Sequence, residues 1–144
     1  MTRVLATGTF DILHPGHVYF LEQAKALGDE LYVIISRDVN VNHKPRPVVP
    51  EDQRLKMVAS LRPVDSAVLG SLTDYFEPIA EIKPDIVVLG FDQKFQEAEL
   101  KKALNGRGFF PEVVRLPQIS GEFYSSRAIA AEIAERKKKH LPID

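Results

Sequence analysis

Five short apolar runs punctuate the chain, and the segments between them follow a different spacing. "RVLAT" (3–7), "LYVIIS" (31–36), "DSAVLG" (65–70), "DIVVLG" (85–90) and "PEVVRL" (111–116) are mostly Val, Ile and Leu. Continuous runs of this kind predict strands buried on both faces of a parallel sheet. Residues 16–27, "GHVYFLEQAKAL", place Val18, Leu21, Ala24 and Leu27 on one helical face, with Gly28 following as a C-cap. "PEDQRLKMVASL" (50–61) sets Pro at a helix start, acids in its first turn and Leu55, Val58 and Leu61 along a stripe. "YFEPIAEI" (75–82) predicts a short helix closed by Pro84. Residues 96–105 predict another. "SSRAIAAEIAERKKK" (125–139) predicts a C-terminal helix capped by serine.

Alternation of strand and helix predicts an α/β architecture. The expectation is a single Rossmann-like domain over residues 1–144, with a mostly parallel five-stranded sheet and helices on both faces. Two segments are irregular: 37–50, "RDVNVNHKPRPVVP", and 117–124, "PQISGEFY". Ligands of such sheets bind at the carboxyl ends of the strands, where these loops belong.

Composition narrows the chemistry. The 144 residues suffice for one real core, and 44% are hydrophobic. The formal net charge of -1 gives no overall field for nucleic acid or a membrane surface. There are no cysteines, which excludes a disulfide framework, a thiolate metal site and a Cys nucleophile. No apolar run approaches the ~20 residues of a membrane span. The opening "MTRVLATGTF" reads as strand and turn rather than signal peptide, so the expected location is the cytoplasm. The terminal "ERKKKH" (135–140) suits a helix C-terminus and solubility; neither nucleic acid nor membrane is expected as a partner.

The candidate chemistry lies in "GTFDILHPGHVYF" (8–20), where the first strand hands over to the first helix. Gly8 is expected to let the backbone turn. His14 precedes proline and is pushed toward an extended conformation. Pro15 and Gly16 open the helix, and His17 falls in its first turn. A helix N-terminus at a strand's carboxyl end attracts phosphate through its free N–H groups and dipole. The two imidazoles add donors, and Gly16 is expected to leave room for a nucleotide. Asp11 alone does not complete a metal site with the histidines, and no protein metal ligand is expected. The segment is neither a Walker loop nor a G-x-G-x-x-G fingerprint.

"GTFDILHPGH" resembles the H-x-G-H signature of the cytidylyltransferase-type nucleotidyltransferase superfamily. "YSSRAI" (124–129) is similar to the family's second signature, with Arg127 where the family usually has Thr. "ALGDELYVIISRD", "VVPEDQRLKMVASLRPVDSAVLG" and "KPDIVVLGFDQ" are similar to blocks of the archaeal FAD synthases. The resemblance implies attack by an acceptor phosphate on the α-phosphorus of a nucleoside triphosphate, with pyrophosphate leaving. A phosphate monoester is largely ionised at neutral pH, so no general base is required. Positioning and charge stabilisation remain.

By the same resemblance His14 and His17 are the catalytic pair. Thr9, Phe10, Pro15 and Gly16 surround the nucleotide phosphates, and Ser125 and Ser126 hold the β- and γ-phosphates. Lys44, Arg46, Arg54 and Arg127 contact substrate phosphates, with Arg54 also bracing the site. Asp92, after the fourth strand, accepts from ribose hydroxyls. Mg²⁺ or another divalent cation accompanies the triphosphate. The expected substrates are ATP and FMN. A CTP-dependent glycerol-3-phosphate cytidylyltransferase, a sugar-phosphate adenylyltransferase and a nucleotide-binding sensor module remain alternatives. A homodimer is common among relatives, and the sequence leaves that open. Phe10, Phe91, Phe95, Phe123 and Tyr124 are candidates to line a pocket for a flat ring. Both histidine side chains are expected to face ligand, so replacing either should barely change stability.

Overall fold

The computed structural model describes residues 1–41, 46–93 and 95–143. Five strands form one sheet: β1 (Arg3–Gly8), β2 (Glu30–Ile35), β3 (Ser66–Leu69), β4 (Ile86–Leu89) and β5 (Glu112–Arg115). The spatial order is β3-β2-β1-β4-β5, and every neighbouring pair is parallel. Five α-helices connect or follow them: α1 (Pro15–Lys25), α2 (Glu51–Ala59), α3 (Glu77–Ile82), α4 (Glu97–Gly106) and α5 (Ser126–Lys138). A short 3₁₀ turn, Asp38–Asn40, follows β2.

Strand β1 is central, and its side chains show why a continuous apolar run was needed. Val4 and Ala6 pack with Leu21 and Ala24 of α1 and Val58 of α2. Leu5 points the other way, onto Ile79 and Ile82 of α3 and Leu100 and Leu104 of α4. Thus α1 and α2 cover one face, and α3 and α4 the other. Each fully buried Leu or Ile contributes about 1.5–3 kcal/mol. The chain winds outward from β1 through β2 to β3, then returns to lay β4 on the far side of β1. The β1/β4 junction is therefore the topological switch point. No described helix is long and apolar enough to cross a membrane.

Three local expectations change. Val18 and Leu27 are exposed, and the buried stripe of α1 is Leu21 and Ala24 alone. Gly28 is not a left-handed cap, since α1 ends at Ala26 in right-handed geometry. Its reason is proximity: a Cβ there would lie 2.7 Å from Val4 Cγ2 and 2.8 Å from the Thr2 carbonyl. Helix α3 is stopped by Lys83, which adopts φ 54°, before Pro84 is reached. Helix α5 has no buried residue.

Candidate active site

The loop from β1 to α1 is shaped by two residues in left-handed geometry, Phe10 (φ 55°) and Ile12 (φ 43°). Non-glycine residues rarely adopt it, and such strain gathers at functional loops. The turn at Phe10 sends its ring back into the core, where it is 5% exposed. The ring lies over Gly8, whose absent Cβ would sit 2.8 Å from Phe10 Cε2. Gly8 therefore serves close approach and not a left-handed turn. Above, the Phe10 ring meets His17, with centroids 5.4 Å apart. Phe10 thus supports a histidine from below, and its side chain is not available to line a ligand pocket.

His14 and His17 form a capping box at the start of α1. His14 is the N-cap, in extended geometry, and its Nδ1 accepts from the Gly16 N–H at 3.1 Å. His17 Nδ1 in turn accepts from the His14 N–H at 3.3 Å. Capping boxes normally pair Ser or Thr with Glu; here both members are imidazoles. The consequence is electronic. A nitrogen accepting from N–H cannot carry a proton, so Nε2 of each neutral ring is the protonated donor. The rings stack with centroids 3.7 Å apart and planes 26° from parallel. Partial burial lowers the pKa of His14 below the ordinary histidine value. Neutral imidazole with a fixed tautomer is the form that donates to a phosphate oxygen without first rearranging.

A second helix N-terminus is brought to the same place. Ser126 Oγ donates to the Asp11 carbonyl at 2.7 Å, tying α5 to the β1–α1 loop across 115 positions of sequence. Gly16 makes the approach feasible from the other side: a Cβ there would lie 2.8 Å from the Tyr124 carbonyl and 2.8 Å from His14 Cε1. The room at Gly16 is thus filled by the protein's own loop. Helices α2, α3 and α4 carry acids in their first turns; α1 and α5 carry none. Arg127 instead adds an exposed cation to the first turn of α5. A cation there is unfavourable for the helix dipole, and becomes favourable with an anion between. The two acid-free N-termini are the two that meet.

The expected serines divide. Ser125 caps α5, its Oγ accepting from the Ala128 N–H at 3.1 Å. The Ser126 hydroxyl is engaged by Asp11. Both hydroxyls are thus engaged within the protein, and what the segment offers outward is chiefly the backbone N–H groups of the α5 N-terminus and the hydroxyl hydrogen of Ser125.

Arg54 is 1% exposed, a placement that suits the bracing expected of it and leaves its guanidinium little surface for a phosphate. Its guanidinium donates to the carbonyls of Val49 (2.9 Å), Thr9 (2.7 Å) and Ser36 (2.9 Å) and to Asp38 Oδ1 (2.6 Å). It joins the ends of β1 and β2 to the start of α2. The hydrogen bond from Arg54 is the main reason that the Asp38 carboxyl titrates below its ordinary range. The Thr9 carbonyl is accordingly occupied. Asp11 works in the same framework, both oxygens accepting from Val48 N and Val49 N at 2.9 Å. Arg46 is exposed and lies near enough to Asp38 to lower its pKa further. Lys44 falls outside the described residues.

At the switch point, Asp92 and Phe91 are exposed in the loop after β4. Composition and periodicity gave no sign of what holds this loop. Arg115, at the end of β5, donates to the carbonyls of Gly90 (2.6 Å), Gln93 (3.2 Å) and Phe95, and to Glu97 Oε1 (2.6 Å). Gln93 Nε2 donates to the Thr7 carbonyl at 2.6 Å, and its Oε1 accepts from Gly90 N at 3.0 Å.

The arrangement gathers two helix N-termini and two imidazole donors on one side, with an exposed carboxylate across the switch point, a set of groups able to hold an anion. The cytidylyltransferase-like family model matches residues 5–132. A FAD synthase of Methanolacinia petrolearia is 61% identical, over 100% of this chain and 98% of its own. A FAD synthase of Methanosarcina mazei is 67% identical, over 81% of this chain and 78% of its own. The crystal structure of a lipopolysaccharide core biosynthesis protein from Thermoplasma volcanium superimposes with a TM-score of 0.81 and 45% identity, covering 83% of this chain and 99% of that one. With the paired histidines in place on a sheet of this order and a family match across most of its length, the chain belongs to the cytidylyltransferase-like family.

Proposed function

We propose that the protein is an FMN adenylyltransferase, forming FAD and pyrophosphate from ATP and FMN. The observation that carries the reaction class is the His14–His17 capping box, which presents two Nε2–H donors where the N-termini of α1 and α5 meet. The substrate pair is supported by the full-length likeness to proteins named FAD synthase. An oxygen of the FMN phosphate bonds to the α-phosphorus of ATP as the bond to the pyrophosphate oxygen breaks. His14 and His17 donate to the oxygens that gain charge, and the N-termini of α1 and α5 hold the departing pyrophosphate. Asp92 accepts from the ribose hydroxyls, and Arg46, Arg127 and Lys44 supply cations at the rim.

A divalent cation is proposed to arrive with the triphosphate. Among the described residues no group of three His, Cys, Asp or Glu side chains is placed to hold one. The carboxylate of Asp11 is engaged by backbone. The donor set fits Mg²⁺ held by phosphate oxygens and water, where it would neutralise charge on the leaving group. The cytoplasm is the proposed location.

A second reading, a sugar-phosphate acceptor, is favoured by the likeness to the Thermoplasma protein. Incubation with Mg²⁺ and ATP or CTP, against FMN, glycerol-3-phosphate or a hexose phosphate, separates them by pyrophosphate release. ATP with FMN is the expected productive pair, with flavin fluorescence falling as FAD forms. Turnover with a sugar phosphate and none with FMN would transfer the assignment to the second reading.

A further inference from the structure

The loops after β3 and β4 place aromatic side chains together at the carboxyl end of the sheet. The Tyr75 ring lies 5.3 Å from that of Phe95 and 5.2 Å from that of Phe76, centroid to centroid. Phe76 packs against the α3/α4 core, which sets the cluster on that face of the sheet. Tyr75 is 42% exposed, Phe95 38% and Phe91 51%. The Tyr75 hydroxyl is desolvated and feels the Thr7 side chain at the end of β1, while the residue as a whole stays exposed. Arg115 holds the Phe95 and Gly90 carbonyls. An aromatic surface, held on one side by Arg115, is left open to solvent beside the proposed phosphate site.

We propose that Tyr75 and Phe95 form the stacking platform for the flat ring of the acceptor. This rests on the FMN adenylyltransferase reading and names the residues that select the flavin. The argument is the geometry of displacement. The proposed triphosphate anchors are the N-terminus of α1, which packs on the α1/α2 face of β1, and the N-terminus of α5, which is tied to the β1–α1 loop. In an in-line transfer the attacking oxygen enters opposite the leaving pyrophosphate. The acceptor must therefore come over the end of β1 from the α3/α4 side, where the Tyr75 hydroxyl feels the Thr7 side chain. Adenine, attached through the ribose at Asp92, departs sideways along the β4 loop. A glycerol phosphate has no flat face to lay on an aromatic surface; a three-ring flavin does.

The test is direct binding of FMN, read by fluorescence quenching, in the presence of Mg²⁺ and the α,β-methylene analogue of ATP. Phe95→Ala and Tyr75→Ala should each raise the Kd for FMN about 5- to 20-fold. Tyr75→Phe, which keeps the ring, should bind FMN as the unaltered protein does. The Kd for the ATP analogue should change less than about twofold in all three. Thermal unfolding of each variant confirms folding, and Phe95→Ala, on an exposed side chain, carries the test should Tyr75→Ala not fold. FMN affinity unchanged in Phe95→Ala, or affinity lost for the ATP analogue instead, overturns the platform. If the unaltered protein makes FAD while the variants keep their FMN affinity, the platform falls and the FMN adenylyltransferase reading stands. Failure of the unaltered protein to bind FMN removes both.

Discussion

His14 and His17 hold each other in place through the backbone that separates them. His14 Nδ1 accepts from Gly16 N–H, His17 Nδ1 accepts from His14 N–H, and the rings stack at 3.7 Å. The same two nitrogen atoms therefore cap α1 and fix Nε2 as the protonated nitrogen of each neutral ring.

Each histidine thus has a structural share beside the chemical one proposed for it, and substitutions can divide them. His14→Ala should lower kcat about 10²–10⁴-fold and also destabilise the fold by about 0.5–2 kcal/mol through the lost cap. This differs from the expectation of nearly unchanged stability because the His14 side chain caps α1. His14→Asn should recover most of the stability, because Asn caps well, and almost none of the kcat. Equal activity in His14→Asn and the unaltered protein would remove the imidazole from the reaction. Denaturant unfolding and steady-state kinetics on the same preparations give both numbers.

Acid should act through His14. Its pKa is lowered in the folded state, so below the unfolded value, near 6.5, the unfolded chain binds a proton that the native chain resists. The stability contributed is complete above that value and is lost as pH falls through the lowered native pKa. Protonation at Nδ1 also ends the bond from Gly16 N–H. Unfolding free energy measured between pH 7.5 and 5.5 without ligand should fall more steeply in the unaltered protein than in His14→Asn. Working without ligand keeps the FMN phosphate, which titrates near ~6, out of the measurement.

Arg54→Met should destabilise by about 3–5 kcal/mol, since it leaves buried carbonyls and Asp38 without their donor. The Asp38 pKa is depressed, so its contribution is present above the ordinary carboxylate range and lost as pH falls through the lowered value. The stability gap between Arg54→Met and the unaltered protein should therefore shrink only below about pH 4. A variant that kept its stability while losing ATP affinity would return Arg54 to the substrate.

The meeting of α1 with α5 can be loosened at either contact. Ser126→Ala removes the donor to the Asp11 carbonyl, worth about 1 kcal/mol, and should raise the KM for ATP about fivefold. Gly16→Ala would normally favour a helix by up to about 1 kcal/mol. Here the new methyl meets the Tyr124 carbonyl at 2.8 Å, and backbone cannot step aside cheaply. We expect no gain in thermal stability and a rise of about tenfold or more in the KM for ATP. An unchanged KM in both variants would detach α5 from the triphosphate.

Period and composition determined the layout of this protein, because a strand buried on two faces and a helix buried on one must write different patterns. All five strands and all five helices lie where the apolar runs and helical spacings put them, to within one or two residues at most ends. The histidine motif and the serine-capped last helix were legible for a similar reason: helix N-termini announce themselves locally, through Pro15, Gly16 and Ser125. Only the tertiary structure decided what long-range contact decides. It paired Ser126 with Asp11, buried Arg54 among carbonyls of three loops, and used Arg115 to hold the loop after β4. It set Tyr75 against Phe95 and turned Phe10 inward beneath His17. A charged or aromatic side chain carries no periodic signature of its partner, and that partner is fixed only when the sheet order brings distant loops to one edge.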